Sequence, residues 1–197
     1  METALPLFPF LPRVALREIA QQKNAACEGD IELVRAAQRG EIAAFNELLD
    51  THRERILNLA FQILRDRDGA EDAAQEAFVR AFSRLGDFRG EARFSTWIYR
   101  VALNVCLEKR RQLKVDVPFE PESAPSFDAA IESKMALDYA LQKMTESGRV
   151  ALVLREWHEM SYEEMALVLG VPVGTVRSRL HHARLEFRRI WQKMEAE

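Results

Sequence analysis

The chain has 197 residues, a formal net charge of −3, 48% hydrophobic and 30% charged residues, and two cysteines. This length suits one medium domain or two small ones, and the apolar content speaks for a folded, soluble chain rather than a disordered one. Cys27 and Cys106 stand far apart without paired spacing, which argues against a disulfide framework and fits a cytoplasmic protein. No apolar run reaches the ~18 residues of a membrane span, so no membrane insertion is expected.

Glycine and proline are scarce and no strand-like alternation recurs, so the fold is expected to be all-α. Residues 1–28 begin "METALPLFPFLPRVALREIAQQ", an apolar patch broken by Pro6, Pro9 and Pro12, with Glu2 where a secretion signal would carry a base. They read as a disordered extension. A sharper reading is a short helix from Arg13 to Gln22 that docks on the body or a partner.

Helical periodicity starts at Asp30. Leu33, Val34, Ala37, Phe45, Leu48 and Leu49 recur at three- and four-residue intervals, interrupted near Gly40. Ile56, Leu57, Ala60, Phe61 and Leu64 form a second apolar face. "DGAEDAAQEAFVRAF" opens a third helix, with Asp68 and Glu71 spaced as a capping box and Ala70, Ala74, Ala77, Phe78, Ala81 and Phe82 on its apolar side. "GDFRGEARFS" is a loop marked by Gly86 and Gly90. A fourth helix from about Ser95 to Gln112 buries Ile98, Val101, Ala102 and Val105. Four such helices over 29–114 can enclose one core. Residues 115–128, "VDVPFEPESAPSFD", hold three prolines and several acids and read as a flexible linker, solvated or threaded through a basic channel on a partner.

A second helical domain is expected over 129–197. Ile131, Met135, Leu137, Leu141 and Met144 serve one helix, and Val150, Leu152, Val153, Leu154 and Trp157 another. Ser161 and Glu164 then have capping-box spacing, Met165, Ala166 and Leu169 give a buried side, Gly170 suits a left-handed helix end, and Pro172 suits the next first turn. This is a helix-turn-helix.

Its second helix has two faces. Val176, Leu180, Ala183, Phe187 and Ile190 share one side. Arg177, Ser178, His181, His182 and Leu185 lie opposite, at about 100° per residue. Arginine can grip guanine O6 and N7 at two points, and serine can bond to a base or a phosphate. Gly174 and Thr175 sit where helix N–H groups favour phosphate. Six cations, Arg177, Arg179, Arg184, Arg188, Arg189 and Lys193, crowd this helix, so the net negative charge conceals a basic face. His181 and His182 are adjacent, and their side chains are expected to diverge, so no metal site is expected there or elsewhere. No phosphate loop, zinc motif or nucleophile elbow occurs, so no catalytic residue and no cofactor is expected. Cys106 reads as a small buried hydrophobe rather than a redox sensor.

"MSYEEMALVLGVPVGTVRSRLHHAR" resembles the fourth region of extracytoplasmic-function sigma factors, and "AEDAAQEAFVRAF" with "FSTWIYRVALNVCLEKRR" resembles their second region. The resemblance covers roughly Asp30 to Arg189. It implies a polymerase initiation subunit, not an enzyme, made of a four-helix region-2 bundle and a region-4 helix-turn-helix domain. Its implied partners are core RNA polymerase, promoter DNA (duplex at −35, single-stranded at −10) and an anti-sigma factor. Asp72, Gln75, Glu76 and Arg80 around Phe78 would contact the polymerase, with Phe82 favoured as core. The loop "FRGEARF" and the helix after it, through Trp97, Tyr99, Arg100, Asn104, Lys109, Arg110, Arg111 and Lys114, would serve the −10 strand, Trp97 standing equally well as a core residue. Thr175, Arg177, Ser178, His181, His182 and Arg184 would serve the −35 duplex. The family often carries a base where His182 stands. A stand-alone helix-turn-helix regulator is the alternative. It would form a self-complementary dimer and bind its operator alone.

Overall fold

The computed structural model describes residues 30–113 and 129–195, with side chains unassigned at 113, 129–135 and 195. The N-terminal extension, the linker, Cys27 and Lys114 lie outside the described residues. Among the described residues every regular element is helical. They fall into two compact units that part between Thr51 and His52.

In the first unit, α1 spans 30–38 and α2 (Ile42–Leu64) begins. Gly40 separates them at φ 96°, a conformation open to glycine but strained for other residues. Its N–H donates to the Ala37 carbonyl at 3.0 Å. Val34, Ala37, Ala44, Phe45 and Leu48 are buried, on the spacing the sequence shows.

In the second unit, α2 buries Ile56, Leu59, Ala60 and Ile63, whereas Phe61 is exposed and Leu57 and Leu64 are half-buried. The expected face is thus turned by about one residue. This stretch is apolar on most sides, and periodicity alone allows either face. Arg65 then adopts the left-handed region at φ 60° and ends α2. That turn makes Asp66 the extended residue before α3 (Arg67–Arg84), and its carboxylate accepts from the Gly69 N–H at 2.8 Å. The cap is therefore Asp66 rather than the Asp68–Glu71 box. Glu71 instead pairs with Arg67 on the exposed surface at 3.4 Å.

α3 buries an all-alanine stripe, Ala70, Ala73, Ala74, Ala77 and Ala81, which lets α4 (Phe94–Leu113) pack closely against it. Phe78 is half-buried. Phe82, expected in the core, is 53% exposed beside Val79 at 62%. The alanines fill the inner face, so Phe82, one residue and about 100° past Ala81, points away from it. A 3₁₀ turn over Leu85–Asp87 and a loop with Gly90 in the left-handed region lead into α4. α4 is buried on several sides, through Phe94, Ile98, Tyr99, Ala102, Leu103, Val105 and Cys106. Burial pushes the Cys106 thiol up to about 12, which leaves it un-ionised and unreactive at neutral pH.

The remaining helices are α5 (Ala129–Lys143), α6 (Glu146–Glu156), α7 (Tyr162–Leu169) and α8 (Val173–Glu195). α6 is buried from Gly148 to Leu154 and forms the centre of this half. Thr145 caps it, and Glu186 of α8 accepts from both the N–H and the hydroxyl of Thr145, at 2.7 and 2.9 Å. That bond explains an acid amid the cations of α8. Around α7 both halves of the capping box form, Ser161 N–H to Glu164 Oε2 at 2.8 Å and Glu164 N–H to Ser161 Oγ at 3.1 Å. Met165 and Val168 are its buried residues, while Ala166 and Leu169 are half-buried.

Gly170 closes α7 at φ 64° and ψ 36°. Replacing it with alanine should cost about 1 kcal/mol through the left-handed backbone. Gly86→Ala, where an added Cβ meets nothing within 4 Å, should cost far less. Thermal unfolding of the two variants checks this; equal midpoints would contradict it.

Residues 52–113 and 129–195 belong to the same compact unit, and α7 lies against α4. Arg65 pairs with Asp138 at 2.6 Å and Arg110 with Glu146 at 3.6 Å. His158 Nδ1 lies 2.8 Å from the Tyr99 hydroxyl, and its Nε2 lies 2.9 Å from Gln62 Oε1.

Candidate nucleic-acid interface

The helix-turn-helix fixes the direction of α8. Val176, Leu180, Ala183 and Phe187 are buried, Ile190 is half-buried, and Trp191 stacks on Phe187 at 5.7 Å. Burying that side turns Arg177, Ser178, His181, His182 and Leu185 to the surface, where all five are exposed. Thr175 is half-buried in the first turn, and its carbonyl accepts from the Ser178 hydroxyl at 3.0 Å. The Arg177 guanidinium lies 5.8 Å from the centre of the Tyr162 ring, which borders the reading face. Arg184 is half-buried and bonded to Glu156 at 2.9 Å, so its charge is largely satisfied within its own domain. The His181 and His182 rings do not diverge. They meet edge-on at 5.7 Å, because rotation about the side-chain bonds offsets the separation of their Cβ directions. Among the described residues no group of three His, Cys, Asp or Glu could hold a metal.

The loop before α4 and the start of α4 build an aromatic cluster beside α7. Trp97 packs between Phe88 and Phe94, with ring centres at 5.3 and 5.5 Å, and Phe94 also meets His52. Trp97 is half-buried, part of this cluster and also part of the wall of an open cavity of about 410 Å³. Phe88, Arg89, Thr96, Arg100 and, from α7, Leu167 share that wall. Phe88 opens the loop "FRGEARF" to which the resemblance gives the −10 strand, although the sequence does not single it out within that loop. Its only signal was an aromatic between two loop glycines.

The other candidates for single-stranded DNA divide by what already holds them. Arg100, Asn104 and Arg111 are exposed. Tyr99 is 5% exposed, with its hydroxyl on His158, and burial pushes its phenol pKa up. In this arrangement it cannot meet DNA. Arg110 donates to the Ile63 carbonyl at the end of α2, at 2.9 Å, and pairs with Glu146; burial lowers its pKa while Glu146 opposes the change. Lys109 pairs with Glu76 at 3.6 Å.

On α3, Glu76 and Arg80 are likewise committed. They pair at 2.5 Å, and Arg80 also reaches Glu108 of α4 at 2.7 Å. They brace α3 against α4 more than they offer charge to a partner. Asp72 and Gln75 are exposed. With Val79 and Phe82 they follow a three-four-three spacing, one exposed ridge that mixes polar and apolar groups.

Fold and site together define a helical DNA-binding protein whose helix-turn-helix is joined to a second, aromatic-loop domain. Residues 48–115 match the pattern described as Sigma-70 region 2, and residues 134–187 that described as Sigma-70, region 4. The chain is 38% identical over 175 residues to the RNA polymerase sigma-H factor of Pseudomonas aeruginosa, covering 80% of this chain and 91% of that protein. It is 34% identical over 173 residues to the ECF RNA polymerase sigma-E factor of Escherichia coli strain K12, covering 79% and 90%. Its structure resembles that of CnrH in complex with the cytosolic domain of CnrY, with a TM-score of 0.68 and 26% identity over 84% of this chain and 98% of that one.

The chain belongs to the extracytoplasmic-function family of RNA polymerase sigma factors. It binds core polymerase and promoter DNA and directs transcription initiation, and the family is not enzymatic. Among the described residues no helix is long and apolar enough to cross a membrane.

Proposed function

We propose that residues 29–114 dock on core polymerase through the exposed ridge of α3 and capture the −10 strand with the loop and outer side of α4. Residues 129–197 read the −35 duplex with Thr175, Arg177, Ser178, His181 and His182. The observation that carries this reading is the outward, basic face of α8, positioned by a fully formed capping box and a left-handed Gly170. Arg177 supplies base contact, and the free N–H groups of the first turn supply phosphate contact. Capture of an unstacked base draws on the Trp97 cluster, Arg100 and Asn104. The segment 114–128 joins the two grips, so each weak contact raises the effective concentration of the other. A protein that acts on chromosomal promoters would work in the cytoplasm. The chain's likeness to CnrH, solved in complex with the cytosolic domain of CnrY, supports a further protein partner, which we take to be an anti-sigma factor.

Run-off transcription with core polymerase on fragmented genomic DNA, with sequencing of start sites, tests the reading. Promoter-specific transcripts are the expected result. Tight operator binding by the chain alone, with no transcript in the presence of core polymerase, would contradict it. On a promoter found this way, Asn104→Ala should slow strand opening, followed by permanganate reactivity, and leave duplex −35 binding unchanged.

A further inference from the structure

We propose that α8 carries a second DNA contact beyond its reading face: Arg188 and Arg189 grip backbone phosphates at the edge of the −35 element and read no sequence. The inference rests on the assignment of α8 to the −35 duplex.

The two arginines continue the rows of the reading face. At about 100° per residue, Arg188 lies about 20° around the helix from Arg177, in line with His181, and Arg189 lies about 20° from Ser178, in line with His182. All six side chains are exposed, and Leu185 stands between the rows. Each row therefore ends in an arginine, about three turns and roughly 16 Å along the axis from its first residue. The major groove is only about 12 Å wide. With Arg177 at a base edge, Arg188 and Arg189 lie over the phosphate wall of the groove rather than its floor.

Their charge is unspent. Among the described residues neither arginine makes a hydrogen bond or an ion pair. Arg184, one turn earlier, is held by Glu156, and Glu186, the acid beside them on α8, is held by Thr145. Arg184 with Arg188, and Arg189 with Lys193, are like charges four residues apart, a spacing that destabilises a helix. Lys193 sits in the last turn, where a cation favours the helix end; Arg188 and Arg189 stand too far from that end to gain from it. Repulsion with no local return fits a surface kept for an anion, and a guanidinium offers a phosphate two N–H groups at once. The base-reading rows and their arginine ends share one helix, so the phosphate grip also fixes the register of the reading face on the duplex.

The test uses holoenzyme assembled from the full chain, on a promoter that the wild type transcribes. Arg188→Ala combined with Arg189→Ala should weaken binding on the order of tenfold at about 0.1 M salt, equally for matched and mismatched −35 elements. The log–log salt dependence should flatten by about 1.8, two counterions fewer. Arg188→Lys with Arg189→Lys should keep the slope, because a point charge still holds a phosphate. Methylphosphonates, which remove the charge of one phosphate at a time, should expose positions flanking the element where the wild type loses affinity and the double alanine variant does not. Thermal unfolding of that variant should be unchanged or raised, since alanine favours the helix and the like charges are gone. An unchanged salt slope with no phosphate position lost would overturn the proposal. Unaltered affinity would then leave the pair as solvated surface, and weakened affinity would assign it to a protein contact. Failure of the −35 assignment looks different: the wild type would bind matched and mismatched elements equally, whatever the two arginines do.

Discussion

Truncating Val79 and Phe82 together to alanine should weaken binding to core polymerase by about thirtyfold or more, the effect of losing one aromatic anchor at the centre of an interface. Fold stability should hardly change. Both side chains are exposed on the α3 ridge, at 62% and 53%, and alanine is the best helix former. The bland account of these residues is core packing, and it makes the opposite prediction: loss of stability with little direct loss of affinity. Phe78 is the internal control. It is half-buried, so Phe78→Ala should lower the thermal midpoint. Fluorescence anisotropy against core polymerase, with thermal unfolding of each variant, separates the cases. Unchanged affinity in the double variant would remove the ridge from the polymerase contact.

That ridge shows where sequence reasoning stops. "AEDAAQEAFVRAF" offers alanines and phenylalanines on overlapping helical faces, and periodicity cannot rank them. Packing can, because only alanines allow α4 to come close. The same ambiguity turned the apolar face of α2 between Leu57 and Leu59. By contrast, the caps, the turn and the buried period of α8 were legible in the helix-turn-helix, although on α7 Val168 is buried in place of Ala166 and Leu169. Its determinants lie within a few positions of each other: Ser161 with Glu164, Gly170 at the turn, and the period from Val176 to Phe187. Each acts through the backbone next to it.

Charge was the least legible feature. Lys109, Arg110 and Arg184 look alike in the sequence to Arg111 and Arg177, yet the first three are spent on Glu76, Glu146 and Glu156. Those partners lie 28 to 36 positions away along the chain. Tyr99 was hidden for the same reason: what covers it, His158, is 59 residues distant. Long-range pairing decides which cations of a basic helix remain for DNA, and composition cannot report it.

The difference between spent and unspent cations sets the second large expected effect. Arg177→Ala in the holoenzyme should cost about 1–3 kcal/mol in recognition of one −35 base pair. Its signature is relaxed specificity: the penalty for changing that base pair should vanish in the variant. Arg184→Ala should behave differently. Its guanidinium bonds Glu156 across the domain, so removal should lower the stability of region 4 and weaken all −35 sequences alike. His182→Arg completes the set, because an exposed imidazole there gives way to a permanent cation beside the phosphates. Affinity should rise, and the log–log salt dependence should steepen by about 0.9, one more counterion released. Binding of the three variants to a −35 variant series across a salt range distinguishes these outcomes. If Arg177→Ala retained full discrimination at every base pair, α8 would be gripping the backbone alone, and the sequence reading of the upstream element would have to lie elsewhere on the exposed face.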